Sequence, residues 1–142
     1  MLNELFGPNE LNFMVALIVA LICGLLVGGE RELRKKPAGM STQTLVIGGA
    51  MLFAFLSHTI GDGDPTRIAA QVVTGIGFLG AGIILKSETS RKVTNVTTAA
   101  SIWYSAAIGM AIGFHFYVIA IVAALAAVVI ARIPHIDKKY KD

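Results

Sequence analysis

Five apolar stretches alternate with short polar connections along this chain, and each reads as a helix rather than a strand because of its length. The first covers residues 11–29, about 28 Å of helix at 1.5 Å per residue, against a hydrocarbon core of about 30 Å. A charged loop, residues 30–39, ends in Pro37 and Gly39. The second helix runs over 42–60, with Ser41 or Thr42 as its N-cap. Gly61, Asp62, Gly63 and Asp64 form a turn signal. Asp64 then caps a third helix over 65–85, with Pro65 at its first position, where a missing N–H does no harm. Residues 86–92 are a second charged loop. The fourth helix covers 94–112 and the fifth 117–131, short for a full span, with Pro134 beyond its end.

Composition turns this pattern into a membrane reading. The 142 residues are 55% hydrophobic and only 15% charged. Soluble domains carry about 25% charge, and a chain of this length cannot hide the apolar excess in one aqueous core. The expected fold is all-α: a single polytopic membrane domain, residues 1–142, with five transmembrane helices. The apolar start is too long, and its flank too acidic (Glu4, Glu10), for a cleaved signal peptide.

Charge then gives orientation. Eleven of the twelve Lys and Arg residues fall in three clusters: Arg31, Arg34, Lys35 and Lys36; Lys86, Arg91 and Lys92; Arg132, Lys138, Lys139 and Lys141. Two apolar helices separate each cluster from the next, so five crossings put all three on one side. Flanking Lys and Arg are retained in the cytoplasm, so the N-terminus is expected outside and the C-terminus inside. Only Arg67 lies at the outer side. The net charge of +3 suggests no nucleic acid, because no aromatic residues interleave with the basic ones to stack bases. It gives some affinity for anionic headgroups.

Several side-chain patterns remain. Ala16, Ala20, Gly24 and Gly28 recur every four residues in the first helix, and Gly75, Gly77, Gly80 and Gly82 crowd the third. The fifth carries Ala120, Ala123, Ala124, Ala127 and Ala131. Small residues let helix backbones approach closely in lipid. Such faces serve either packing within the bundle or docking of another copy or another membrane protein. Thr94, Thr97, Thr98, Ser101 and Ser105 share a sector about 100° wide on the fourth helix. Arg67, Gln71 and Thr74 share one of about 60° on the third. An ionisable group at that depth needs a partner or water; Arg67 either snorkels to the outer interface or pairs with Asp62 or Asp64, or it belongs to a polar interior. The two stripes are expected to face each other or a common polar interior.

Glu30 and Arg31 end the first helix, where Glu30 either pairs with neighbouring Lys or Arg residues or reaches a basic residue of the second loop. His58 reads as interfacial, Trp103 and Tyr104 as packing, and Phe114, Phe116 and Tyr117 as an outer aromatic belt. Cys23 reads as a small buried hydrophobe. No nucleophile–base arrangement, phosphate-cradling loop or metal-ligand spacing is visible, so neither an enzyme nor a cofactor is expected. Asp62 and Asp64 are weak candidates for a cation and too few for a Mg²⁺ site.

Three segments together resemble the MgtC/SapB family of bacterial and archaeal membrane proteins. The first is Gly24-Leu-Leu-Val-Gly28-Gly29-Glu30-Arg31-Glu32, followed by Ala38-Gly39-Met40. The second is Arg67-Ile-Ala-Ala-Gln71-Val-Val-Thr74-Gly75-Ile-Gly77-Phe78-Leu79-Gly80-Ala81-Gly82. The third is Thr97-Thr98-Ala99-Ala100-Ser101-Ile102-Trp103, continuing to Ala106-Ala107-Ile108-Gly109. The resemblance implies a multi-pass protein of the prokaryotic plasma membrane. It would be linked to Mg²⁺ homeostasis or low-Mg²⁺ adaptation and act on other membrane proteins. Apart from the resemblance, five helices do not need every small-residue face internally, so a homo-oligomer, with a dimer favoured, is expected. The rival is a cation channel or transporter using the two polar stripes. Longer members carry a soluble cytoplasmic domain after the membrane part, so this chain is expected to correspond to the membrane part. Where a Gly-Leu pair often precedes the Thr-Thr-Ala-Ala motif, Asn95 and Val96 stand here. Asn95 is therefore grouped with Glu30 and Arg31 as a helix-end motif.

Overall fold

A computed structural model describes residues 7–60, 64, 66–85 and 94–134. They form five helices: α1 (Pro8–Leu33), α2 (Met40–Ile60), α3 (Thr66–Leu85), α4 (Val96–Gly113) and α5 (Tyr117–Ala131). The first four are long and apolar enough to cross a bilayer. The fifth, with 15 residues, reaches about 22 Å. The all-helical membrane architecture matches the expectation, and the differences lie at helix ends.

α1 runs four residues past the expected end at residue 29 and takes in Glu30 and Arg31. It stops at a Schellman turn, in which Lys36 N–H donates to Arg31 O and Lys35 N–H to Glu32 O. Lys35 holds the left-handed conformation usually left to glycine (φ 52°). α2 starts before Ser41 and Thr42, so neither is its cap. The Glu32 carboxylate instead accepts the Met40 N–H at 3.1 Å from across the loop. Asp64 does cap α3, accepting the Thr66 N–H at 2.9 Å. α4 begins at Val96 rather than Thr94, because Asn95 is left-handed (φ 64°). Asn tolerates that conformation better than most residues that carry a side chain.

α2 is the central helix, packed against α1, α3 and α4. α5 covers α1 and α4, while α3 touches only α2 and α4. Glycines set the closest approaches. A Cβ on Gly24 would lie 2.6 Å from Thr44 Cα, and one on Gly28 would collide with Met40. Gly109 and Gly113 press in the same way on the Ile47 and Met51 carbonyls. So the α1 stripe is internal: Ala16 and Ala20 join Cys23, Ile47, Ile112, Ala120 and Ala124 in one buried core. The α3 glycines differ. Gly75, Gly77 and Gly82 face open space, and Gly80 alone of the four meets a neighbour, Ala99 Cβ at 3.7 Å.

The end of the bundle carrying His58 and His115 is closed by rings. Phe13 packs on Phe55 (centroids 5.4 Å apart), Phe55 on His115 (5.9 Å) and His58 on His115 (5.5 Å). His58 thus joins an aromatic cluster.

Candidate functional site

The opposite end of the bundle holds the polar groups. Arg31, in the last turn of α1, is 4% exposed. Its guanidinium donates to Pro37 O (2.9 and 2.7 Å), to Ala38 O (3.2 Å) and to Thr98 Oγ1 on α4 (2.7 Å). Ala38 is left-handed (φ 59°), and its carbonyl also accepts from Gln43 Nε2 at 3.3 Å. Gln43, 0% exposed in the first turn of α2, is the second hub. Its Nε2 donates to Ser101 Oγ (3.1 Å), and its Oε1 accepts from Ser105 Oγ (2.6 Å). Ser101 Oγ donates in turn to Thr98 O (2.8 Å). One buried knot thereby joins α1, the α1–α2 loop, α2 and α4. Buried polar groups are tolerated when each finds a partner, and here the charged donor meets carbonyl and hydroxyl acceptors.

Glu30 lies beside the knot, 6% exposed. Among the described residues its ion pair is with Arg34, at 3.4 Å, one turn on in sequence. Arg34 Nη1 also donates to Ala131 O at the end of α5, where a helix presents unsatisfied carbonyls and favours a cation. Glu30 therefore pairs with a neighbour. The second-loop cations Lys86, Arg91 and Lys92 lie outside the described residues.

The structure divides the expected sites. Thr98, Ser101 and Ser105 enter the knot with Arg31. Thr97 is exposed at its edge, and Thr94 precedes the helix. Asn95 contributes its backbone, accepting the Ala99 N–H at 2.9 Å. Arg67, Gln71 and Thr74 are not brought to this site. All three are exposed on α3, because α3 packs through Ala69, Ile76 and Gly80 on its other side. The two stripes do not share an interior. Gln43 was missed; its signal was an amide inside an otherwise apolar helix, hidden by its nearness to the expected helix start. Asp62 lies outside the described residues, and Asp64 is an exposed helix cap. The Thr66 hydroxyl and N–H hold the Asp64 carboxyl below the usual carboxylate range. Among the described residues no three His, Cys, Asp or Glu side chains gather to hold a metal.

α3 presents a second surface. Arg67, Gln71, Thr74, Gly75, Phe78 and Gly82 fall in one sector about 100° wide, and all are exposed, Phe78 at 81%. Beside it, a groove of about 540 Å³ runs between α2 and α3, lined by Gly49, Ala50, Gln71, Gly75 and Ile76 among others.

The model of the MgtC family matches residues 17–136. A protein of Haemophilus influenzae is 36% identical over 151 aligned positions, covering 99% of this chain and 63% of the relative. Protein MgtC of Salmonella typhimurium is 44% identical over 101 residues, 71% of this chain and 43% of that protein. Protein MgtC of Brucella abortus is 50% identical over 95 residues, 66% of this chain and 39% of that protein. The chain thus spans only part of the length of each of these relatives. No solved structure matches it. A family match over most of the chain, on a bundle of apolar helices, places this polytopic membrane protein in the MgtC family.

Proposed function

We propose that this chain is a Mg²⁺-linked protein of the bacterial plasma membrane that acts by helix-mediated binding and without catalysis. Its first partner is a second copy, and the same face serves another membrane protein. The observation that carries this is the uncovered face of α3. Thr74 Oγ1 bonds back to Ala70 O at 3.5 Å, but lipid cannot hydrogen-bond the Gln71 amide, and it gains little from exposed glycines. A second helix can satisfy the former and approach closely over the latter. A two-fold dimer through this face would bury Phe78 against its own copy. The basic loop residues 34–36 would lie in the cytoplasm, as their charge requires.

Gly75 and Gly82 provide the test, because a side chain there meets open space within one copy. In proteoliposomes, energy transfer between differently labelled copies is expected to be lost in Gly75→Leu and Gly82→Leu while helicity and thermal stability stay unchanged. Transfer retained in both variants would overturn the reading. Ion conduction is the rival reading. It requires the polar stripes to share a wet route, whereas Thr98, Ser101 and Ser105 hold protein partners and the α3 residues lie apart. Mg²⁺ or K⁺ flux abolished by Thr98→Val and Arg67→Gln would establish the rival.

A further inference from the structure

Two cavities meet at the knot. One, about 870 Å³, opens at the end of the bundle between the α1–α2 loop, the start of α4 and the end of α5. Its described lining brings Arg31, Arg34, Lys35 and Lys36 together against the single carboxylate of Glu30, with Thr94 and Asn95 at its rim. The other, about 180 Å³, is an apolar slot between α1, α4 and α5, lined by Val27, Ala100, Tyr104, Ala127 and Ile130. Glu30, Arg31, Thr97, Ile130 and Ala131 line both, so the cavities adjoin. The mouth is cationic, polar and at the helix ends. The slot is apolar and runs along the helices toward mid-membrane.

We propose that these adjoining cavities together form a binding site for one anionic phospholipid. The headgroup phosphate sits in the mouth, where Lys35 and Lys36 provide exposed ammonium groups and the Thr94 hydroxyl and Asn95 amide can donate. Arg34 is partly committed to Glu30 and Ala131 O, and Arg31 is held by carbonyls and Thr98. The two arginines therefore supply a fixed positive field, and the two lysines supply movable donors. An acyl chain follows the slot over Ala100 and Ala127, whose small side chains leave its width. Basic pockets between membrane helices recognise anionic headgroups in this way. The shape selects a lipid over a free phosphate, because a soluble anion leaves the apolar slot unfilled. The site lies on the α1–α4–α5 side and is separate from the α3 face, so the two proposals stand or fall independently.

Native mass spectrometry of the purified protein, mixed with phosphatidylglycerol and phosphatidylcholine of matched chains, tests this. One retained phosphatidylglycerol per copy is expected, in preference to phosphatidylcholine. Lys35→Gln combined with Lys36→Gln should weaken retention on the order of thirtyfold, from about fivefold per surface cation. Ala100→Phe, which fills the slot and leaves the charges, should also abolish it. Both variants are checked by thermal unfolding. Equal retention of the two lipids would overturn the site. So would retention unchanged by both variants, or a loss as large in Arg132→Gln, which would mark general surface attraction. Complete displacement by inorganic phosphate would show that the slot takes no part.

Discussion

Replacing Gln43 with Leu keeps the buried volume and deletes the amide that ties α2 to α4. Three hydrogen bonds go: to Ser101 Oγ at 3.1 Å, to Ala38 O at 3.3 Å, and from Ser105 Oγ at 2.6 Å. Interhelical hydrogen bonds in membrane proteins average about 0.6 kcal/mol, with a maximum near 1.7. The sum is about 2 kcal/mol, roughly thirtyfold in the unfolding equilibrium. Ser105 recovers part of its share by bonding back to its own helix, so the loss is not much larger. Gln43→Ala adds a cavity and should cost about 3–4 kcal/mol. Unfolding in bicelles by steric trapping measures these values. A double-mutant cycle with Ser105→Ala isolates the 2.6 Å bond and should return a coupling of about 0.5–1.5 kcal/mol. A Gln43→Leu protein within 0.5 kcal/mol of wild type, or a cycle with no coupling, would refute the knot as a structural tie.

Gly109→Ala should destabilise the bundle by about 1–3 kcal/mol, since its Cβ meets the Ile47 carbonyl; Gly75→Ala, read in the same unfolding assay, should cost nothing. Thr44 Oγ1 is buried against Gly24 without a hydrogen-bond partner. Thr44→Val should therefore raise stability by about 1 kcal/mol, and a comparable loss would show that the hydroxyl is bonded. The depressed Asp64 carboxyl stabilises the start of α3 fully above the ordinary carboxylate pKa, and that contribution is lost as pH falls through its lower folded value. Hydrogen exchange in the first turn of α3 should quicken over that acid range, and Asp64→Asn, which still caps, should remove the pH dependence.

The helices were legible because apolar runs of membrane length leave few alternatives, and residues 117–131 were read to the residue. The ends were less so. α1 continues through Glu30 and Arg31 because distant partners, Thr98 and the 37–38 carbonyls, cover groups that look solvent-bound in one dimension. The hydroxyl stripe of α4 showed a polar seam but not its mate, since Gln43 lies 58 residues from Ser101. The α3 stripe misled in direction. Periodicity puts Arg67, Gln71 and Thr74 on one face and is silent on which face packs; Ala69 and Ile76 decided that. Glycine spacing was equally neutral, since Gly24 and Gly28 are internal while Gly75 and Gly82 are open.

The central claim is that copies meet through the exposed face of α3. Single cysteines along α3, in a Cys23→Ala background and in native membranes, test it most directly by oxidative crosslinking. The account predicts covalent dimers at Gln71, Thr74 and Phe78, and little at Val73 or at Leu25 on α1, which are exposed on other faces. Crosslinking as strong at Val73 and Leu25, or none at the three α3 positions, would contradict it.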